Sequence, residues 1–155
     1  MKTLIIYDSF YGNTQKIAET LAEALACETV KVQNMAAEQL HEVELLVLGS
    51  PTRAFRPSPG IAQYLSRIPT GALTGVRAAA FDTRSLMDDT IPGFLRLMMK
   101  WFGWAAPKIA KQLARAGATL ALAPDGFCVR GSEGPLVDGE LERAVEWARG
   151  ILSTS

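Results

Sequence analysis

The sequence predicts an α/β fold, a parallel β-sheet with helices packed on both faces. Three observations predict it. Strand-like and helix-like runs alternate five times along 155 residues. Two strand runs, Leu4-Ile5-Ile6 and Leu45-Leu46-Val47-Leu48, are continuously apolar, as expected of strands covered on both faces. Three loops of distinctive composition, 9–14, 50–57 and 82–90, follow strand runs. In such sheets ligands bind beyond the carboxyl ends of the strands.

Each element follows from local pattern. Residues 2–8 read as a buried strand. Residues 14–26 place Ile17, Ala18, Leu21, Ala22 and Leu25 on one helical face. Residues 29–33 alternate like a half-buried strand, and 36–42 form a short helix or loop. Residues 44–49 are a central strand. Ser58 is the N-cap and Pro59 the first residue of a helix that buries Ile61, Ala62, Leu65 and Ile68. Residues 71–75 turn the chain and 76–81 form the fourth strand. From Pro107 onward Ile109, Ala110, Leu113 and Ala116 keep helical spacing. Residues 119–123 are a strand, resumed at Phe127-Cys128-Val129. The last helix starts near Gly139, with Leu141, Ala144, Val145, Ala148, Ile151 and Leu152 facing inward. No repeat or linker divides the chain, so 1–155 is read as one domain.

Composition narrows the function. Lys plus Arg and Asp plus Glu both number 16, so formal charge is zero. That disfavours a nucleic-acid binder and a strong whole-molecule field. Cys27 and Cys128 are two isolated cysteines, expected to be reduced in a cytoplasmic protein rather than part of a disulfide framework or zinc site. The N-terminal residues lack a signal-peptide pattern, and no apolar run is long enough for a transmembrane segment. His41 is the only histidine and lies in a polar stretch. No metal site and no Ser-His-Asp set can therefore be assembled at the ligand edge, and no catalytic residue is assigned.

The loops carry the chemistry. Ser9-Phe10-Tyr11-Gly12-Asn13-Thr14 joins a strand to a helix start. The first amides of a helix lack intrahelical partners and its dipole favours an anion, so this loop suits a phosphate held by neutral donors. Ser50-Pro51-Thr52-Arg53-Ala54-Phe55-Arg56-Pro57 is stiffened by proline and places two arginines around an aromatic. Phe81-Asp82-Thr83-Arg84 adds a carboxylate, a hydroxyl and a cation.

Together these loops resemble the flavodoxin family. The first is similar to its phosphate loop, a run of Ser and Thr ending Gly-Asn-Thr. Its Ser-x-Tyr-Gly form is also similar to the tetrameric flavodoxin-like quinone reductases. Gly49-Ser50-Pro51-Thr52-Arg53 resembles the second flavin loop of both groups. The resemblance implies a flavodoxin-like three-layer doubly wound sandwich, with a five-stranded parallel sheet of order 2-1-3-4-5. It implies FMN, with Ser9, Tyr11, Gly12, Asn13 and Thr14 on the phosphate. Pro51, Thr52, Arg53, Ala54 and Phe55 would line one side of the isoalloxazine, and Asp82, Thr83 and Arg84 its pyrimidine side. Phe10, Tyr11, Phe55, Trp101 and Trp104 are candidate ring partners.

Two departures from the family stand out. Residues 53–56 are Arg-Ala-Phe-Arg, without the glycine at which many flavodoxins flip a peptide toward the reduced flavin. Arg53, Arg56 and Arg84 would favour an anionic reduced flavin where the family has acidic surroundings.

Residues 94–106 are almost wholly apolar, with only Arg96 and Lys100 charged. A helix apolar nearly all round belongs in a core or against a partner. A buried core helix, a homodimer or partner surface through 94–104, and a flap or membrane-surface contact are the readings open at this point. The function expected is an FMN-binding electron-transfer protein that serves redox partner proteins in the cytoplasm. The alternatives are an NAD(P)H-dependent quinone reductase and an FMN-free interaction module.

Overall fold

The computed structural model describes residues 1–87 and 91–154. The end of the loop 82–90 therefore lies outside the described residues. The strands are β1 (Thr3–Tyr7), β2 (Glu28–Lys31), β3 (Leu45–Pro51), β4 (Arg77–Ser85), β5 (Thr119–Leu120) and β6 (Asp125–Val129). The helices are α1 (Asn13–Leu25), α2 (Pro59–Ser66), α3 (Gly93–Phe102), α4 (Ala105–Arg115) and α5 (Glu140–Ser153). All strand pairs are parallel, in the order β2-β1-β3-β4-β5, with β6 also on β4.

The expected fifth strand is thus two segments along one line. β5 pairs with Arg77 and Ala78, and β6 pairs with Phe81 to Ser85. Pro124 lies between them, and a residue without an N–H cannot continue the ladder. The second strand is shorter than the alternation suggests, because Val32–Asn34 turns into a single 3-10 turn.

Strand alternation sends successive side chains to opposite faces and builds two cores. Leu4, Ile6, Leu46, Leu48, Ile61, Ile109 and Leu113 pack on the α2/α4 side. Ile5, Ile17, Leu21, Val47, Phe81, Phe127 and Trp147 pack on the α1/α5 side. There Phe81, Phe127 and Trp147 meet edge to face with centroids 6.1–6.2 Å apart. Trp147 takes the inward position on α5 beside Ala144, Ala148 and Ile151. Leu141 and Leu152, expected inward, are exposed. The bulk of Trp147 fills that face, and its indole N–H donates to the Ala123 carbonyl at 3.3 Å.

The core-helix reading of residues 94–106 is corrected. α3 has no buried residue, whereas Ala105 and Ala106 begin α4 and are fully buried. No described helix is long and apolar enough to cross a membrane.

Candidate functional site

The loops after β1, β3 and β4 converge at the carboxyl edge of the sheet. In the first, Gly12 is the N-cap of α1 with φ 89°, a left-handed conformation that glycine adopts without steric cost. Its amide donates to Ser9 Oγ at 3.1 Å, which folds the loop back over the helix start. The leading amides of α1 then face the loop without intrahelical acceptors. Thr14, at the first turn of α1, shares a 2.7 Å hydrogen bond with Thr83 Oγ1, tying that turn to the end of β4.

Asp8 organises the edge from below. It is 2% exposed, accepts from the Ser9 amide at 2.9 Å and from Gln33 Nε2 at 3.2 Å, and receives the Ser58 hydroxyl at 2.6 Å. Ser58 also caps α2, accepting from the Ile61 amide, and its own amide donates to Ser50 Oγ at 2.8 Å. One polar chain thereby fixes β1, the second loop and α2. A carboxylate closing an apolar strand was the sequence signal for Asp8, and no role was assigned to it.

The second loop forms a two-residue hairpin. Arg53 and Arg56 exchange both backbone hydrogen bonds at 2.9 Å, with Ala54 at φ 47° and Phe55 at φ 66° between them. Two consecutive positive φ values are the pattern of a type I′ turn, which normally selects Asn-Gly. The chain adopts a glycine-like turn with no glycine in it. The Arg53 guanidinium sits 4.7 Å from the Phe10 ring centroid, bridging the second loop to the first.

In the third loop alternation divides the side chains. Thr83 points toward α1, while Asp82 and Arg84 point toward α4. Arg84 donates to both Asp82 oxygens at 2.7 and 2.8 Å and lies 4.5 Å above the Trp104 ring. Asp82 also accepts from the Ala106 amide at 2.8 Å, and Thr52 Oγ1 accepts from the Ala105 amide at 3.0 Å. Two strand-end side chains thus cap the N-terminus of α4. Burial pushes the Asp82 carboxyl above its ordinary value, and Arg84 and the Ala106 amide hold against that shift.

A cleft of about 290 Å³ opens between these loops. It brings together Ser9, Phe10, Tyr11, Asn13 and Thr14 from the first loop, Pro51, Thr52, Arg53 and Ala54 from the second, and Thr83 and Arg84 from the third. Three candidates stand off its lining. Gly12 shapes the turn. Asp82 is fully buried under α4. Phe55 turns away to pack on Phe102 of α3, with ring centroids 5.5 Å apart. Of the remaining ring-partner candidates, Trp101 lies exposed on α3 and Trp104 lies against Arg84.

A fourth wall comes from residues 129–132, at the end of β6 and beyond it. Val129, Ser132 and Ser85 line the cleft. Ser85 Oγ donates to the Gly131 carbonyl and Asn13 Nδ2 to the Glu133 carbonyl, which draws this loop over the start of α1. Its glycine-rich composition was visible in the sequence, but its return to the cleft depends on these tertiary bonds.

Comparison with known proteins agrees with this architecture. Oxidised Flavodoxin 2 from Bacillus cereus is 19% identical, with full coverage of both chains and a TM-score of 0.77. A flavodoxin, WrbA-like protein from Agrobacterium tumefaciens is 16% identical, covering 99% of this chain and 96% of its own, with a TM-score of 0.74. The rubredoxin oxygen:oxidoreductase of Desulfovibrio gigas matches 99% of this chain over 36% of its own, at 18% identity and a TM-score of 0.69. At these identities the likeness is one of fold. No curated protein sequence matches significantly. A family model described as a flavodoxin domain matches residues 4–92. With the strand order and the loop arrangement, that match shows that the chain belongs to the flavodoxin domain family.

Proposed function

We propose that this protein binds FMN in the cleft and carries electrons between redox partner proteins in the cytoplasm. The observation that carries this reading is the α1 start. A left-handed Gly12 turns the chain over free helix amides beside the hydroxyls of Ser9 and Thr14, and no cation lies in this stretch until Lys16. Such a cradle fits a phosphate monoester at the end of a longer ligand. Built at the Gly12 position, a Cβ would meet nothing within 4 Å, so the outside of this turn is open.

Bound FMN would supply the redox chemistry, taking up and giving back one or two electrons. The chain's part is to hold and shield it. Ser9, Tyr11, Gly12, Asn13 and Thr14 would hold the phosphate. Pro51, Thr52, Arg53 and Ala54 would flank one side of the ring system, with Thr83 and Arg84 at the pyrimidine side. Asp82 acts from behind by fixing Arg84, and Phe55 by anchoring the second loop to α3. The described lining of the cleft has no carboxylate, imidazole or thiol.

The test is an absorption spectrum of the purified protein before and after FMN addition. The expected result is a protein-bound flavin band, with little NAD(P)H oxidation in the presence of a quinone and efficient reduction by a partner reductase. Absence of flavin binding would leave the FMN-free interaction module. Rapid NAD(P)H:quinone turnover would make the protein a quinone reductase.

A further inference from the structure

Zero net charge conceals a segregation. Residues 45–124 hold ten Lys and Arg against three Asp and Glu, while the rest of the chain holds six against thirteen. The basic portion includes the second cleft loop, α2, α3 and α4, and its three acids all fall in the third loop, 82–90. Neither α2 nor α4 contains an acidic residue. Between them Arg56, Lys108, Lys111 and Arg115 line a groove of about 580 Å³ over an apolar floor that includes Leu65. Burial, and then Arg56, push the Lys108 ammonium below its ordinary value. These cations are crowded, and the groove supplies no carboxylate to pair with them.

α3 adjoins this groove and is anomalous in a different way. Phe94 is 73%, Leu97 55% and Trp101 78% exposed. The two features are continuous through one residue. The Phe55 ring packs on Phe102 of α3, and the Phe55 carbonyl accepts a hydrogen bond from Lys108 Nζ on α4.

We propose that the α3 ridge and the α2/α4 groove form one docking surface for an acidic electron-transfer protein, beside the cleft. An exposed aromatic core with a charged rim is the anatomy of a protein interface. Complementary charge would guide the encounter and fix its orientation. The groove suits the protruding side chains of a folded partner better than a bilayer surface. Thr52 and Asp82 pin the N-terminus of α4 at the sheet edge, and its cations descend from there. Lys108 to Arg115 spans about 10 Å of helix along that groove. An isologous homodimer through α3 would bring two basic surfaces together and is opposed by their repulsion. That the partner is a redox protein rests on the FMN reading, whereas the acidity of its surface rests on the cations.

The experiment is calorimetric titration of the full chain, with and without FMN, against an acidic plant-type [2Fe–2S] ferredoxin and against basic cytochrome c. The expected result is binding to ferredoxin that weakens as salt rises, with none to cytochrome c. The Lys111→Glu/Arg115→Glu double variant should weaken ferredoxin binding about tenfold. Trp101→Ser should weaken it at every salt concentration. Circular dichroism would verify that both variants are folded. The proposal is overturned by no ferredoxin binding, by binding indifferent to both variants, by preference for cytochrome c, or by a stable dimer that buries Trp101. Equal or stronger Trp101-dependent binding to phosphatidylglycerol vesicles would overturn it in favour of a membrane. The flavin spectrum is read separately. Ferredoxin binding by a chain that takes up no FMN would sink the carrier reading and leave the acidic docking surface standing.

Discussion

Arg84 holds the buried Asp82 carboxylate through two hydrogen bonds of 2.7 and 2.8 Å. The cation that the sequence placed beside the ligand is therefore largely neutralised, and only Arg53 remains as an exposed guanidinium in the cleft lining. Removing one partner of a buried pair strands the other charge. Arg84→Ala should cost about 3 kcal/mol in chemical denaturation, with the Asp82→Asn/Arg84→Ala double variant losing less than the two single losses combined. Gly126→Ala offers a second route to the same pair. A Cβ there would come within 1.9 Å of Arg84 Nε, so the guanidinium must leave Asp82. The same direction of effect is expected, and near-additivity in the double variant would refute the coupling.

Ala54→Gly should stabilise the protein. Ala54 and Phe55 hold positive φ in a turn that favours glycine, and such strain costs on the order of 1 kcal/mol or more per residue. Glycine relieves it at position 54, offset in part by greater freedom in the unfolded chain. A net gain of about 0.5 kcal/mol in urea unfolding is expected. A loss of stability in the variant would show that Ala54 carries no such strain.

Strong local signals made much of this fold legible. The apolar runs of β1 and β3 and the Ser58-Pro59 helix start follow directly from residue type and spacing. The three loops could be placed at one edge because the βα alternation puts every strand's carboxyl end on the same side. Which way each loop side chain points was less legible. Asp82 and Thr83 are neighbours in sequence, yet one caps α4 and the other bonds to Thr14, because β4 continues to Ser85 and imposes its alternation through the loop. The Phe55 ring packs on Phe102 of α3, a direction set by the left-handed turn rather than by residue type. The charge segregation escaped because a sum over the whole chain cancels a basic stretch, 45–124, against the more acidic remainder.

Acid should weaken the attachment of α5 to β6. Arg143 donates to Glu140 at 2.9 Å and to Asp125 at 2.7 Å, and Glu140 also accepts from the Cys128 amide at 2.6 Å. The Arg143 hydrogen bond holds the Glu140 carboxyl below its ordinary value against the opposing effect of burial. A carboxyl with a depressed folded pKa contributes stability that is fully present above its unfolded value, about 4.3, and is lost as pH falls through the lower folded value. Denaturation midpoints should therefore fall below about pH 4.3. Glu140→Gln should flatten that slope while lowering stability at neutral pH. An unchanged acid slope in the variant would exclude Glu140 as its source.

Tyr64→Phe should be neutral or stabilising despite removing a polar group. Tyr64 lies at the end of α2 against Leu40, Ile68 and Leu73, and its hydroxyl is buried with no hydrogen-bond partner among the described residues. Burial also pushes its phenol up to about 12, so it stays neutral throughout ordinary pH. An unpaired buried hydroxyl costs about 1 kcal/mol or more, while the ring supplies the packing that phenylalanine keeps. A gain of up to about 1 kcal/mol is expected in thermal or chemical unfolding. A clear loss of stability would mean that the hydroxyl has a partner, such as an ordered water bound between α2 and the 3-10 turn Ala37–Leu40.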